Sequence, residues 1–164
     1  AAGGTPHEEL LKELLGHEFF QTEPPKSTGR ELFGGKFVML LLERARALGL
    51  SDADLVATAT ALTPRSIANA CERFVFPRVS IDELIISGGG SKNETLVQGL
   101  RECFEPVPVV YSDDYGISSS AKEAVAFAIL ANETICGGSG NLPGATGARR
   151  RTILGKIVPA SRPD

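Results

Sequence analysis

The chain has 164 residues, 42% of them hydrophobic and 23% charged, and a formal net charge of −3. That is enough polypeptide for one domain with a real core, and its balance excludes a global field that would draw nucleic acid or an anionic membrane. Three scattered cysteines without a CxxC pair, and two histidines remote from them, exclude a disulfide framework or zinc site and fit reduced thiols in a cytoplasmic setting.

From the N-terminus, PHEELLKELLG predicts a helix with Thr5 as N-cap, Pro6 at its first position and Gly16 at its stop. Leu10, Leu11, Leu14 and Leu15 form its apolar face. HEFFQTEPPKSTGRELFGG then reads as irregular, and Lys36 to Leu48 as an amphipathic helix stopped by Gly49. Ser51 caps the next helix, with Asp52 and Asp54 where the helix dipole favours negative charge. Thr63-Pro64 looks like a second cap and first turn, which splits 51–76 into two helices ended by Pro77.

A short strand near 82–86 delivers Gly88-Gly89-Gly90 toward a helix of about 93–103. Val107–Tyr111 is a second, β-branched strand, and Asp113–Gly116 a turn. Ser120 opens KEAVAFAILANETIC, the most apolar helix of the chain, whose alanines predict close packing and which Gly137-Gly138 stops. The tail holds at most a short strand near Ile153–Val158. Arg149-Arg150-Arg151 reads as a solvated loop. No apolar run approaches the roughly 18 residues of a membrane helix, and no signal peptide is visible.

Strands alternating with helices predict an α/β fold with a parallel pair. Two strands do not make a stable sheet, so strand partners are expected elsewhere, in a missing N-terminal part or in a second subunit. The chain opens on AAGG rather than Met, in keeping with a piece of something longer.

Four segments carry polar chemistry. A strand that runs three glycines into a helix start suits a phosphate-bearing ligand, because the backbone is approachable and free N–H groups face the site. The run Gly88–Asn93 is neither a complete GxGxxG nor a Walker A loop, and a tight turn is the competing explanation. Asn93 is a helix cap or a ligand donor. PPKSTGRE, residues 24–31, is a ligand-facing loop or a solvated turn. Ser120-x-x-Glu123 has the form of a capping box, which would occupy Glu123; the alternative places Glu123 in a cleft. GNLPGATGA, residues 140–148, is a structural turn or a loop facing a purine or phosphate.

The order PPKSTGRE, LTPRSIANA, IISGGGSKN, KEAVAFAILA, GNLPGATGA and TILGKIVP resembles the C-terminal half of the anhydro-N-acetylmuramic acid kinase family, over nearly the whole chain. The resemblance implies a ribonuclease H-like, actin-like ATPase domain, incomplete here: the C-terminal strands and helices of the second domain. It implies ATP and Mg2+ as cofactors and an anhydro-sugar as substrate. The implied reaction phosphorylates O6 of 1,6-anhydro-N-acetylmuramic acid while water opens the anhydro bridge, a step in peptidoglycan recycling. Levoglucosan is an alternative substrate within the same family. Carried over by motif, Gly88, Gly89 and Gly90 line the nucleotide with Asn93 nearby, and Glu123 faces the sugar or the reacting water. Lys26, Ser27, Thr28 and Arg30 match the family loop, as ligand contacts or as braces. The family's MSGTSxDG and DTGPGN motifs are absent, the second of which carries the general-base aspartate, so no catalytic residue is expected in this chain and little turnover from it alone. A non-catalytic nucleotide-binding module is the rival, and a dinucleotide oxidoreductase using Asp113 a weaker third.

Overall fold

In the computed structural model, which describes residues 1–158, helix α1 spans Glu8–Leu15. Its Leu10, Leu11 and Leu14 are buried, as the leucine spacing predicts. The cap differs: His7, not Thr5, is the N-cap, and its Nδ1 accepts from the Leu10 amide at 3.2 Å. The chain reaches α1 as a segment pinned along a later helix. The Thr5 amide donates to Asp54 Oδ1 at 2.8 Å and the His7 amide to the buried Thr58 Oγ1 at 2.9 Å. A short helix α2, Glu18–Gln21, follows, and α3 runs Gly35–Ala47 to a turn with Gly49 at φ +66°.

Helix α4, Asp52–Phe74, is continuous for 23 residues and contains Pro64, which corrects the expected split at Thr63-Pro64. Ser51 caps it as expected, accepting from the Asp54 amide. Proline inside a helix costs about 3 kcal/mol. Two cores, one on each half of α4, offset that cost. Leu62 joins Leu10, Leu11, Leu14 and Leu41 in the first core, and Ala68 joins Leu100 and Phe104 in the second. The Pro64 ring is itself buried against Gly99, where even a methyl group would come within 2.9 Å of its Cγ.

The sheet is one parallel pair: β1, Leu84–Ile86, beside β2, Val109–Tyr111, in register Leu84↔Val109 to Ile86↔Tyr111. Between them α5, Glu94–Phe104, crosses over and packs Leu100 and Phe104 against Leu84, Ile86 and Val109. Ile85, pointing the other way by the strand period, is 51% exposed. The protein is thus α/β with a minimal parallel sheet, one face of which is covered.

Helix α6, Lys122–Cys136, departs from expectation: none of its residues is buried. Its alanines do not pack closely against any described element. The tail instead crosses one side of it, with Thr134 Oγ1 donating to the Leu130 and Leu154 carbonyls. A short helix α7 spans Pro143–Thr146. No strand forms in 151–158, and the expected strand's final residue, Val158, is the last one described. Among the described residues, no helix is long and apolar enough to cross a membrane.

Candidate functional site

Because β1 and β2 are parallel, their C-terminal ends open at one edge, where ligands of open α/β sheets gather. Three segments meet there: Ser87–Lys92 after β1, Ser112–Ser120 after β2, and the first turn of α6.

Gly88 has φ +85° and ψ −171°, a conformation essentially restricted to glycine. Its carbonyl accepts from both the amide and hydroxyl of Ser91, at 3.2 and 2.7 Å, closing a 3-10 turn over Gly89–Lys92. The glycines therefore do not run straight into α5; one tight turn intervenes. Gly89 and Gly90 are exposed, lack a positive φ, and have open space where a side chain would project. Nothing in the surrounding protein demands glycine at those two positions. Asn93 caps α5, its Oδ1 accepting from the Leu96 amide at 3.2 Å.

After β2, Asp114 Oδ2 accepts from the Tyr111 amide and Asp113 from the Ser119 amide, folding 112–119 back on itself around Gly116 at φ +76°. Hydrogen bonding from Ser119, through its hydroxyl and then its amide, holds the Asp113 carboxyl below its ordinary value. Asp113 is thus engaged in its own loop, which weighs against the ribose-binding role that a dinucleotide fold would give it. Ser112 is 7% exposed, and its hydroxyl has no hydrogen-bond partner among the described residues. No sequence signal singled it out, because only tertiary packing buries it.

The capping box expected at Ser120 and Glu123 does not form. The N-cap of α6 is Ala121, in helical conformation, and Ser120 Oγ pairs with Ser118 Oγ at 2.9 Å. Glu123 is left exposed on the first turn of α6. Its neighbour Lys122 reaches across 35 positions of chain and donates to Ser87 Oγ at 2.6 Å. That bond fastens the start of α6 to the residue immediately before Gly88. Gly88–Gly90 and Glu123 therefore belong to one edge, although far apart in sequence.

The PPKSTGRE loop divides. Lys26 is a brace: its Nζ donates to the Phe19 carbonyl at 2.6 Å and lies 4.7 Å from the Phe19 ring centroid. Partial burial, with a smaller contribution from Arg73, lowers its pKa. Ser27, Thr28 and Arg30 are exposed. Gly147 of the GNLPGATGA segment abuts Pro25, so the two most distinctive motifs touch. A cleft of about 660 Å³ between Gly4, Ala57, Arg65, Gln98 and Cys103 takes in none of Gly88–Gly90, Asn93 or Glu123.

Among the described residues no group of three or more His, Cys, Asp or Glu side chains could hold a metal ion. The donor set does not suit a protein-built Mg2+ site, and Mg2+ commonly arrives on nucleotide phosphates with few protein ligands.

Known proteins support one assignment. The family model for anhydro-N-acetylmuramic acid kinase matches residues 1–160. Proteins of that name from Caldanaerobacter subterraneus and Salinibacter ruber are each 50% identical over 157 residues, covering 96% of this chain and 40% of theirs. One from Clostridioides difficile is 42% identical over 159 residues, covering 97% of this chain and 41% of its own length. The chain spans about 40% of the length of the curated relatives it matches. A match that runs almost from end to end, through the glycine turn and the α6 edge alike, means that the chain belongs to the anhydro-N-acetylmuramic acid kinase family.

Proposed function

We propose that the chain is the nucleotide-side part of an ATP-dependent anhydro-sugar kinase with an actin-like ATPase fold. The observation that carries this is the glycine turn: Gly88–Gly90 stand at the C-terminal edge of a parallel pair, with backbone open to a ligand at Gly89 and Gly90. Phosphate groups are well matched to such exposed amides near a helix start. Gly88, Gly89 and Gly90 would lie along the adenine nucleotide. Asn93 would hold the start of α5 in place and offer its amide nitrogen toward the ligand.

Glu123, with no cap to serve, would accept a hydroxyl of the sugar or orient the water that opens the anhydro bridge. ATP supplies the phosphoryl group for O6, and Mg2+ balances the charge of its phosphates. The product would be N-acetylmuramic acid 6-phosphate, which places the reaction in peptidoglycan recycling. No aspartate of this chain stands in a DTGPGN context, so the general base must come from outside it.

Titrating purified residues 1–164 with ATP and with NADH tests the binding half. ATP binding without NADH binding is expected, and the reverse would sink the proposal. Mixing the chain with ATP and 1,6-anhydro-N-acetylmuramic acid tests the chemistry. Weak or no turnover is expected, and ordinary kinase rates would show that the base lies within residues 1–164.

A further inference from the structure

One cation beside the glycine turn has no counter-charge. Lys122 donates to Ser87 Oγ at 2.6 Å and forms no ion pair among the described residues. An ammonium carries three donors, so a single hydroxyl leaves two of them, and the whole charge, unmatched. Lys92, the other lysine at this edge, differs, because it acts on the Asp113 carboxylate. The carboxylate next to Lys122 in sequence is Glu123, but adjacent positions of a helix do not face each other.

The placement is unfavourable for a lysine that only braces the fold. Lys122 is the first residue of α6, the end that the helix dipole already makes positive. No side chain caps that end, and the amides of Lys122, Glu123 and Ala124 have no acceptor among the described residues. The same holds for the amides of Gly89 and Gly90. Ser87 Oγ holds the ammonium one residue before Gly88, so two sets of open amides flank one free positive charge. A neutral ligand gains little from that charge, whereas a phosphate gains a charge-assisted bond from it.

We infer that Lys122 is a phosphate ligand of the glycine-turn site. It keeps its bond to Ser87 and gives its two remaining donors to the phosphate groups of the nucleotide. Ser87 is a positioning residue: it sets the ammonium beside Gly88 and, being neutral, leaves the charge available. The nucleoside alone forgoes this contact, so the site discriminates by phosphate. This rests on the nucleotide reading of the turn and adds to it the residue that supplies positive charge.

Calorimetric titration with ATP, adenosine and tripolyphosphate provides the test, on residues 1–164 as the parent and as Lys122→Met and Lys122→Arg. Lys122 is exposed, so circular dichroism of both variants should match the parent. Loss of a charge-assisted bond should cut the preference for ATP over adenosine about tenfold in Lys122→Met, and Lys122→Arg should keep most of it. Tripolyphosphate affinity should fall together with that preference. If Lys122→Met weakens ATP and adenosine alike, the lysine is only a brace and the inference is overturned. ATP affinity unchanged in Lys122→Met also overturns it, and leaves the nucleotide reading intact. Tripolyphosphate bound through Lys122 without binding of ATP supports the lysine as a phosphate ligand and sinks the nucleotide reading. A parent that binds neither ATP nor tripolyphosphate overturns both.

Discussion

Gly89 and Gly90 make the sharpest residue-level distinction between a turn that needs glycine and a ligand that needs it. At Gly88 the backbone itself excludes side chains, so Gly88→Ala should unfold the turn. At Gly89 the protein has room and no positive φ. Gly89→Ala should therefore leave stability unchanged or raise it by about 0.4–1 kcal/mol, through the unfolded state. If the turn serves a nucleotide, the same variant should lose ATP affinity at least tenfold in calorimetry. Unchanged affinity would reduce the glycines to a plain turn.

The thiols give a second residue-level prediction. Burial pushes Cys71 and Cys103 up, whereas Cys136 lies exposed at the end of α6. Maleimide at neutral pH, followed by peptide mass mapping, should label Cys136 first. Asp113 supplies a third. Its folded pKa lies below the unfolded value, so its hold on Ser119 is complete above the usual carboxylate range and is lost as pH falls through the folded value. The Ser119 amide resonance should titrate there, and Asp113→Asn should abolish that titration.

Among the elements, α4 shows most plainly how packing overrides a local signal. Thr63-Pro64 carries every mark of a helix start, and α5 follows only thirty residues later, so the fate of Pro64 is written partly at Gly99. Gly99→Ala would force a methyl group against the proline ring, at 2.9 Å from Cγ, and should cost about 1–3 kcal/mol in urea unfolding. Pro64→Ala should recover much of that loss in the double variant. Additive effects would mean that the two residues do not share the contact described here. Helix α6 errs in the opposite direction. Its serine and glutamate spell a capping box, yet Ser120 turns to Ser118 and the helix starts one residue later. Ser118 and Ser120, two residues apart, pair with each other while Asp113 holds the Ser119 amide between them.

At the scale of the whole molecule, α4 belongs to both cores, joining Leu62 to the α1 leucines and Ala68 to Leu100 and Phe104. The two should consequently unfold together. Leu10→Ala and Leu100→Ala, each removing a buried side chain, should each lower one shared transition by about 2–5 kcal/mol. Far-ultraviolet circular dichroism and the fluorescence of Tyr111 and Tyr115 should report the same midpoint; separate midpoints would show the cores to be independent. By itself the sequence determined the α/β order, the cap at Ser51, the leucine face of α1 and the sheet deficit, and it left Asn93 and the glycine run each with two readings. Those features depend on residues near one another in the chain, on side-chain period and on a simple count of strands. Tertiary structure alone decided that Pro64 lies within one helix, that Lys122 ties α6 to Ser87, that Ser112 is buried and that α6 is bare. Each of these depends on which distant surfaces meet.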